Sequence, residues 1–226
     1  MSESVLIAVL VSAAFYFVGG IPFGVIFGKA LKGVDIRKTG SGNIGTSNAF
    51  RALGPVGGSL VLVCDTAKGA LAVLAAGWLV PDPAVVNIAG IAAGTCAILG
   101  HNYSPFLGFK GGKGIATSFG VFLALNWIIA MICFALWAVV VASTKISSVA
   151  SMSAAVALPV CYFIFDQDVS LKVYSVVVAI LALYMHRSNI RRLIDGTELK
   201  MSTKETKNVT GQDEGEQEED KAKDNG

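Results

Sequence analysis

Three short polar segments of this chain combine residue types that bind phosphate. The first, at 40–51, reads GSGNIGTSNAFR. Its glycines allow tight turns and the close approach of backbone N–H groups to an anion, and Arg51 adds a planar guanidinium that matches phosphate oxygens. Its other hydrogen-bonding candidates are Ser41, Asn43, Ser47 and Asn48. Gly, Ser and Asn are also common in ordinary flexible loops, and that alternative stays open from this segment alone.

The second segment, at 109–114, reads FKGGKG and opens a long apolar run. A glycine-rich turn that leads into a helix presents free N–H groups and the positive end of the helix dipole. The spacing is not that of a Walker A loop, so ATP is not predicted. A basic membrane anchor with helix-breaking glycines is the alternative. The phosphate-binding candidates are Lys110, Gly111, Gly112, Lys113 and Gly114.

The third segment, at 186–192, reads HRSNIRR. His186 and Asn189 are three residues apart and therefore share one face of a helix. A histidine at the membrane boundary can accept a proton or donate a hydrogen bond to phosphate. The alternative is a basic cluster that touches anionic lipid.

The elements that must position these segments are membrane helices. Of 226 residues, 54% are hydrophobic and 15% are charged, and the mean hydropathy is +0.63. One crossing needs ~20 apolar residues, and lipid requires that backbone hydrogen bonds close within the protein. We therefore expect an all-α polytopic membrane protein. Its apolar segments lie at about 4–28, 55–80, 84–104, 114–144, 147–165 and 169–186.

Charge placement predicts the orientation of these helices. The basic clusters lie at 29–51, 110–113 and 186–192, whereas the other turns are acidic or sparse, and positive charge marks the cytoplasmic side. Every basic cluster is cytoplasmic if segment 114–144 crosses twice and breaks near 125–127. This predicts seven transmembrane helices, some short, with the N-terminus outside and the C-terminus cytoplasmic. A partly re-entrant pair, or six crossings with one long tilted helix, are the alternatives.

Several residues outside the three segments have predicted structural or supporting roles. Asp65 and Lys68 lie three apart in an apolar segment, where ionisable groups are costly and usually face the bundle interior, so we expect a structural pair. Ser151, near the start of segment 147–165, is a further candidate for lining a pocket. The four cysteines occur singly in apolar runs, which favours buried apolar roles over disulfides or metal ligands.

Composition divides the chain into two parts. Residues 1–200 form a single membrane domain, whereas residues 201–226 are almost entirely polar and acidic. Such a segment buries too little apolar surface to offset its ordering entropy, so we expect a disordered cytoplasmic tail.

Together, the three segments predict a site for a ligand with a phosphate and an apolar tail, or for two phosphorylated ligands. The sequence shows no Ser-His-Asp arrangement, no paired carboxylates and no metal cluster, which favours direct transfer over a covalent enzyme intermediate. A transporter for a small phosphorylated solute would place polar groups on both faces and often has a repeat. A purely structural subunit would leave the three segments without a purpose.

In this order, the three segments resemble those of the acyl-phosphate:glycerol-3-phosphate acyltransferase (PlsY) family of bacterial membranes. The resemblance runs from about Gly19 to Glu198 and includes Ile-Pro-Phe-Gly at 21–24, Asp65 with Lys68-Gly69, and His-Arg-x-Asn-Ile-x-Arg-Leu at 186–193. Two departures stand out. The family commonly reads Gly-Ser-Ile-Pro where this chain has GGIP at 19–22, and Gly-Ala-Thr-Asn where it has GTSN at 45–48.

The resemblance implies a reaction and a set of roles. An acyl phosphate would donate its fatty acyl group to the 1-hydroxyl of glycerol 3-phosphate, giving 1-acylglycerol 3-phosphate and inorganic phosphate. The implied site is in a bacterial plasma membrane and faces the cytoplasm, with no cofactor, nucleic acid or protein partner. Ser41 and Arg51 would be essential, and His186 and Asn189 would assist. Lys113 would neutralise phosphate, Gly111, Gly112 and Gly114 would shape the glycerol-phosphate loop, and Glu198 would be structural.

The same residues suggest a mechanism of positioning and charge stabilisation. Lys113, Arg51 and loop N–H groups would hold the phosphates while the glycerol hydroxyl attacks the acyl carbon. The base is either His186 or a phosphate oxygen of the donor, and the sequence leaves both open.

Overall fold

The computed structural model describes residues 2–166 and 168–201, which form an all-helical protein. The predicted helical class is confirmed. Two short 3-10 turns lie at Ile36–Lys38 and Pro105–Leu107. The helices of the described residues are α1 (Glu3–Gly20), α2 (Phe23–Lys32), α3 (Thr46–Leu79), α4 (Pro83–Asn102), α5 (Ile115–Leu125), α6 (Trp127–Thr144), α7 (Ser147–Phe165), α8 (Val169–Met185) and α9 (Arg187–Ile194).

Several of these helices are long and apolar enough to cross a membrane. Five stretches of the described residues qualify. The first is α1 and α2 taken as one, and the other four are α3, α4, α6 and α7. The bent pair of α8 and α9 would be a sixth. Helix α5 has only 11 residues. The prediction of a multi-pass membrane protein is therefore confirmed, whereas seven crossings and the orientation stay predictions.

Proline and glycine divide the predicted segments further. Segment 4–28 is two helices, because Pro22 lacks a backbone N–H and restricts the residue before it. Segment 40–51 is only partly a loop, since α3 already begins at Thr46. Gly54 then breaks this helix with φ of 78° and ψ of −171°, and Pro55 begins its second part. Asn48 and Arg51 consequently lie on a short helical stretch instead of the expected loop.

The predicted break within segment 114–144 falls at Asn126. Its side-chain oxygen accepts a hydrogen bond from the N–H of Ile129 at 3.3 Å and so caps α6. Its side-chain nitrogen donates to Asp166 at 3.0 Å, which ties the turn between α5 and α6 to the end of α7. One long tilted helix over 114–144 is therefore excluded.

Small residues let the helix backbones approach closely. Gly100 of α4 lies directly against the backbone of Tyr16, and Gly19 of α1 lies against the backbone of Ala97. Between α3 and α5, Gly120 has the same relation to the carbonyl of Thr66. Close approach through small residues is the usual way for helices to pack in lipid, where apolar side chains gain little from leaving the solvent.

The predicted tail and the four cysteines are the remaining features of the sequence analysis. Apart from Met201, the predicted polar tail at 201–226 lies outside them. The four cysteines are free thiols, and two of them, Cys133 and Cys161, are buried in the apolar core between α6 and α7.

We expect Gly100→Ala to destabilise the protein and Gly77→Ala to stabilise it slightly. A methyl group at Gly100 would overlap the Tyr16 carbonyl and force α1 and α4 apart, whereas nothing lies within 4 Å of the corresponding position at Gly77. Overpacking costs ~1–3 kcal/mol, whereas removing a helical glycine in open space gains ~0.4–1 kcal/mol. Thermal unfolding of the purified protein in detergent measures both, and equal melting temperatures would contradict the close contact.

Candidate active site

The three polar segments surround one cavity that reaches from the segment at 195–201 into the apolar bundle. Most predicted site residues line it, namely Ser41, Asn43, Ser47, Asn48, Arg51, Asp65, Lys113, Gly114, Ser151, His186, Asn189 and Glu198. Lys68, Lys110, Gly111 and Gly112 are not among its lining residues. Lys110 is exposed on the surface, so the two lysines of the second segment have different surroundings.

Asn48 holds the first segment in shape. Its side-chain nitrogen donates to the carbonyls of Ile36 and Asn43, both at 2.8 Å, and its side-chain oxygen accepts from the N–H of Ser41 at 3.0 Å. The side-chain oxygen of Asn43 accepts from the N–H of Gly45 at 2.9 Å. These bonds fix the loop that carries Ser41 at the cavity, so the geometry favours a positioning role for Asn48.

Arg51 contacts a segment at 199–200 for which the sequence predicted no role at the cavity. Its guanidinium donates to the carbonyl oxygens of Leu199 at 3.2 Å and Lys200 at 3.4 Å. The N–H of Met201 in turn donates to the carbonyl of Lys145 at 2.7 Å. Leu199 and Met201 line the cavity, so residues 199–201 cross its mouth between α3 and the turn after α6.

The second segment uses its glycine amides differently from the prediction. The N–H of Gly111 donates to the carbonyl of Asn102 at 3.0 Å, and that of Gly112 donates to the carbonyl of His101 at 2.9 Å. The expectation that these two N–H groups are free for phosphate is wrong, because the last carbonyls of α4 accept their hydrogen bonds. Gly114, at φ of +75°, then directs the chain into α5.

Glu198 connects the second and third segments. Its carboxylate accepts hydrogen bonds from Ser148 and Asn189, both at 2.6 Å, and from Arg192 at 2.7 Å. Asn189 also accepts a hydrogen bond from the ammonium of Lys113. Asn189 therefore holds Lys113 on one side and Glu198 on the other, a geometry that favours the structural role predicted for Glu198.

The surroundings of Lys113 and Glu198 change their proton affinities. Burial lowers the pKa of Lys113 to about 8, an effect that the Glu198 charge opposes and the charges of Arg192 and Arg51 reinforce. Burial raises the pKa of Glu198, but hydrogen bonds from Ser148, Asn189 and Arg192 lower it below its usual range overall. At neutral pH the network thus pairs an ionised carboxylate with a lysine that is mostly protonated.

His186 has a defined tautomer at the bend between α8 and α9. Its Nδ1 lies 2.8 Å from the carbonyl oxygen of Ala182. A carbonyl only accepts hydrogen bonds, so Nδ1 carries a proton, and in the neutral ring Nε2 is left as an acceptor. His186 is buried and lines the cavity, where such an acceptor could take a proton.

The predicted pair of Asp65 and Lys68 is confirmed, and it has a third member. Lys68 Nζ lies 2.9 Å from Asp65 Oδ1 and 2.9 Å from His101 Nδ1. His101 lies 33 positions from Lys68 in the sequence, so no local pattern predicts that it joins this pair. Ser151, also at the cavity, accepts a hydrogen bond from the indole of Trp137 at 3.3 Å.

The interior of the cavity is apolar. Each of four helices contributes to its inner end, which lies about two or three helical turns from the polar residues. The residues that line this end are Phe122, Ala130, Cys133, Phe134, Leu158, Val178 and Ala179. Phe122 is supported from behind by the rings of Tyr162 at 5.6 Å and Tyr174 at 5.3 Å between centroids.

A family model described as Glycerol-3-phosphate acyltransferase matches residues 9–196. The chain belongs to the glycerol-3-phosphate acyltransferase family. A member of Fusobacterium nucleatum is 44% identical over 82% of this chain and 93% of its own length. Another, of Lactiplantibacillus plantarum, is 42% identical over 81% of this chain and 86% of its own.

Two solved structures have the same fold. Both are crystal structures of the integral membrane glycerol 3-phosphate acyltransferase PlsY, one in its glycerol 3-phosphate form and one in its lysophosphatidic acid form. The first matches with a TM-score of 0.79 and 36% identity over 88% of this chain and 98% of its own. The second matches with a TM-score of 0.76 and 36% identity over 88% of this chain and 97% of its own. The predicted family, the enzyme class and the integral membrane setting are thereby confirmed, and the family's reaction is that of an acyltransferase in phospholipid synthesis.

We expect Glu198→Gln to lower stability at neutral pH by an amount that shrinks in acid. Because the pKa of Glu198 is below its usual 4.5, its carboxylate stabilises the folded state above that value, and this contribution is lost as the pH falls through the lower folded-state pKa. Melting temperatures of both proteins in detergent, measured from neutral pH to about pH 3, check this. The matched control is Asp195→Asn, an exposed carboxylate nearby. If the difference in melting temperature between Glu198→Gln and the unaltered protein does not change with pH, the lowered pKa of Glu198 is contradicted.

Proposed function

We propose that this chain transfers a fatty acyl group from an acyl phosphate to the 1-hydroxyl of glycerol 3-phosphate, releasing 1-acylglycerol 3-phosphate and inorganic phosphate. The observation that carries this proposal is the two-part cavity, in which cationic and hydrogen-bonding groups lie at one end and apolar side chains at the other. Both substrates contain a phosphate, and the donor and product also contain an acyl chain. The relatives solved in glycerol 3-phosphate and lysophosphatidic acid forms support the same ligands here.

The phosphates bind at the polar end, between the side chains of Arg51 and Lys113. The guanidinium of Arg51 matches a phosphate in shape, and a charged phosphate oxygen is a stronger acceptor than the carbonyls of Leu199 and Lys200 that it now contacts. Lys113 is partly buried, so its attraction for an anion is screened less than at the surface. A bound phosphate would also restore the full positive charge of Lys113.

Neutral groups then orient the substrates. The hydroxyl of Ser41 faces the cavity on a loop fixed by Asn48, so Ser41 is proposed as an essential hydrogen-bonding group, with Asn43 and Ser47 beside it. Gly111 and Gly112 act through the shape of the second segment, since the carbonyls of α4 accept hydrogen bonds from their N–H groups. The proposed binding role of Lys110 receives no support from its exposed position outside the cavity.

Direct attack fits these groups. The 1-hydroxyl of glycerol 3-phosphate adds to the acyl carbon, the bond from that carbon to the phosphate oxygen breaks, and phosphate leaves with the bonding electrons. The hydroxyl proton passes either to Nε2 of His186 or to a phosphate oxygen of the donor. Acceleration comes from holding both substrates in one place and from stabilising the developing negative charge with Arg51 and Lys113.

The proposed topology is seven crossings in a bacterial plasma membrane, with the active site facing the cytoplasm. At 1.5 Å per residue, the 18 residues of α6 span ~27 Å and the 11 residues of α5 span ~17 Å. Both helices meet at Asn126, so α5 would begin ~10 Å below the level at which α6 ends near Lys145. The second segment would then dip into the membrane, where an acyl chain can reach the site from the lipid.

Release of inorganic phosphate by the purified protein in detergent tests the proposal. We expect release only when both palmitoyl phosphate and glycerol 3-phosphate are present, with formation of lysophosphatidic acid by mass spectrometry. Palmitoyl-CoA should not replace the acyl phosphate. Release that is independent of glycerol 3-phosphate, or transfer from palmitoyl-CoA, would contradict the proposed reaction.

In the same assay, Lys113→Met and Lys110→Met form a matched pair. Lys113 is partly buried and lines the cavity, whereas Lys110 is exposed, so only the first substitution should remove a charged contact to phosphate. A hydrogen bond to a charged group contributes ~1.5–3 kcal/mol, so kcat/KM should fall by about 10- to 150-fold for Lys113→Met and by less than about twofold for Lys110→Met. The KM for glycerol 3-phosphate of the unaltered protein should also rise above about pH 8, where Lys113 loses its proton. Equal losses in the two variants would refute the assignment.

The acyl chain occupies the apolar end of the cavity, which predicts a change in chain-length preference on Ala130→Phe. A larger side chain at this position shortens the apolar end of the cavity. Each methylene of the acyl chain that no longer fits there loses ~0.8 kcal/mol of binding free energy. We expect the ratio of activities with stearoyl phosphate and lauroyl phosphate to fall by about fivefold or more. The ratio does not depend on the folded fraction of the variant. Ala135→Phe, on the exposed side of α6, is the control, and an unchanged ratio in both variants would place the acyl chain elsewhere.

A further inference from the structure

Asp65, Lys68 and His101 form a buried charged cluster inside the bundle, and Asp65 and His101 also line the cavity. Asp65 and Lys68 are on consecutive turns of α3, and His101 is next to the end of α4. Their side chains are 2%, 2% and 5% exposed. Ionisable groups at membrane depth are costly, and they usually have a function.

The hydrogen bonds of Lys68 determine the protonation of the cluster. Lys68 Nζ forms an ion pair with Asp65 Oδ1 at 2.9 Å, donates a hydrogen bond to the carbonyl of Ile21 at 3.2 Å and lies 2.9 Å from His101 Nδ1. An ammonium group only donates hydrogen bonds. Nδ1 of His101 therefore accepts, and the ring of neutral His101 carries its proton on Nε2. The cluster is an ion pair that orients an imidazole.

Stability alone does not account for such a cluster. Removing one partner of a buried ion pair is strongly destabilising, whereas replacing both partners by apolar residues of similar volume is often neutral or stabilising. An apolar trio in the same place would hold α3 and α4 together at least as well. Retention of the charges points to a geometry that apolar side chains cannot specify.

The geometry that the cluster specifies is that of the second segment. The ring of His101 occupies the position in which a side chain on Gly112 would lie, and its Nε2 is among the nearest atoms to that position. The carbonyls of His101 and Asn102 accept hydrogen bonds from the N–H groups of Gly112 and Gly111. The next residue, Lys113, enters the cavity. A shift of the imidazole would therefore move Gly112 and, with it, the ammonium of Lys113.

We propose that the Asp65–Lys68–His101 cluster positions Lys113 for glycerol 3-phosphate by fixing the imidazole on which Gly112 rests. His101 is a positioning residue, and Lys68 and Asp65 act through it. This inference rests on the proposed role of Lys113 in binding phosphate. It adds to that role a function for the buried charges, which is to maintain the affinity for glycerol 3-phosphate.

Four variants separate positioning from stability. Lys68→Met leaves Asp65 buried and unpaired, whereas the double variant Asp65→Leu with Lys68→Met removes both charges. His101→Gln retains a side-chain oxygen that can accept from Lys68, and His101→Leu does not. Ser175→Ala is the control for loss of a buried polar group, since Ser175 is fully buried in α8 and bonds to the carbonyl of Lys172, outside the cavity. Melting temperature and the KM for glycerol 3-phosphate are measured for each in detergent.

We expect the double variant to recover the melting temperature that Lys68→Met loses, yet to keep a KM for glycerol 3-phosphate that is about 10- to 100-fold above that of the unaltered protein, the range caused by small misplacements in an active site. His101→Gln should retain a lower KM than His101→Leu, and Ser175→Ala should stay within about twofold of the unaltered protein. A double variant with an unaltered KM, or identical KM values for the two His101 variants, would overturn the inference. The proposed function would survive that result, because it is tested separately, by whether the unaltered protein releases phosphate from the acyl phosphate only when glycerol 3-phosphate is present.

Discussion

The polar end of the cavity depends on the carboxylate of Glu198. It accepts hydrogen bonds from Ser148 at the start of α7 and from Asn189 and Arg192 on α9, and Asn189 passes the connection on to Lys113. Three elements that are distant in sequence are thereby held around one ammonium group. In a site enclosed by apolar helices, a lysine without such a network would be costly to keep charged. The network makes the cation available at neutral pH, when the carboxylate that helps to retain it is ionised.

Glycine allows close contacts between helices and turns at two places in this molecule. Gly19 and Gly100 bring α1 and α4 into backbone contact. Gly111 and Gly112 lie against the last residues of α4, with their amides bonded to the carbonyls of Asn102 and His101. The missing side chains of Gly19, Gly100 and Gly111 leave room for another backbone, and that of Gly112 leaves room for the ring of His101. Rigid placement of Lys113 is the result, and the side chains at the cavity supply the charge.

The proposed reaction does not require a catalytic dyad, because it depends mainly on proximity and charge. A mixed anhydride already has a good leaving group, so the protein has to gather two anions and a hydroxyl at one point. In the proposed reaction, Arg51 and Lys113, which line the polar end of the cavity, offset the repulsion between the phosphates, and the apolar end of the cavity holds the acyl chain. The boundary between membrane and water is where both kinds of surrounding can exist within a few ångströms of each other.

The sequence by itself determined the helical membrane class, the break at Asn126, the pairing of Asp65 with Lys68 and the segments that carry the site. Each of these follows from short-range patterns, since lipid demands apolar spans with closed backbone hydrogen bonds and residues three apart on a helix meet. The tertiary structure decided which groups of those segments line the cavity. It placed Lys113 at the cavity and left Lys110 exposed. It also bonded the amides of Gly111 and Gly112 to α4, added His101 to the charged pair, and brought residues 199–201 against Arg51. These contacts join residues up to 149 positions apart, and they depend on how whole helices pack, which no local pattern encodes.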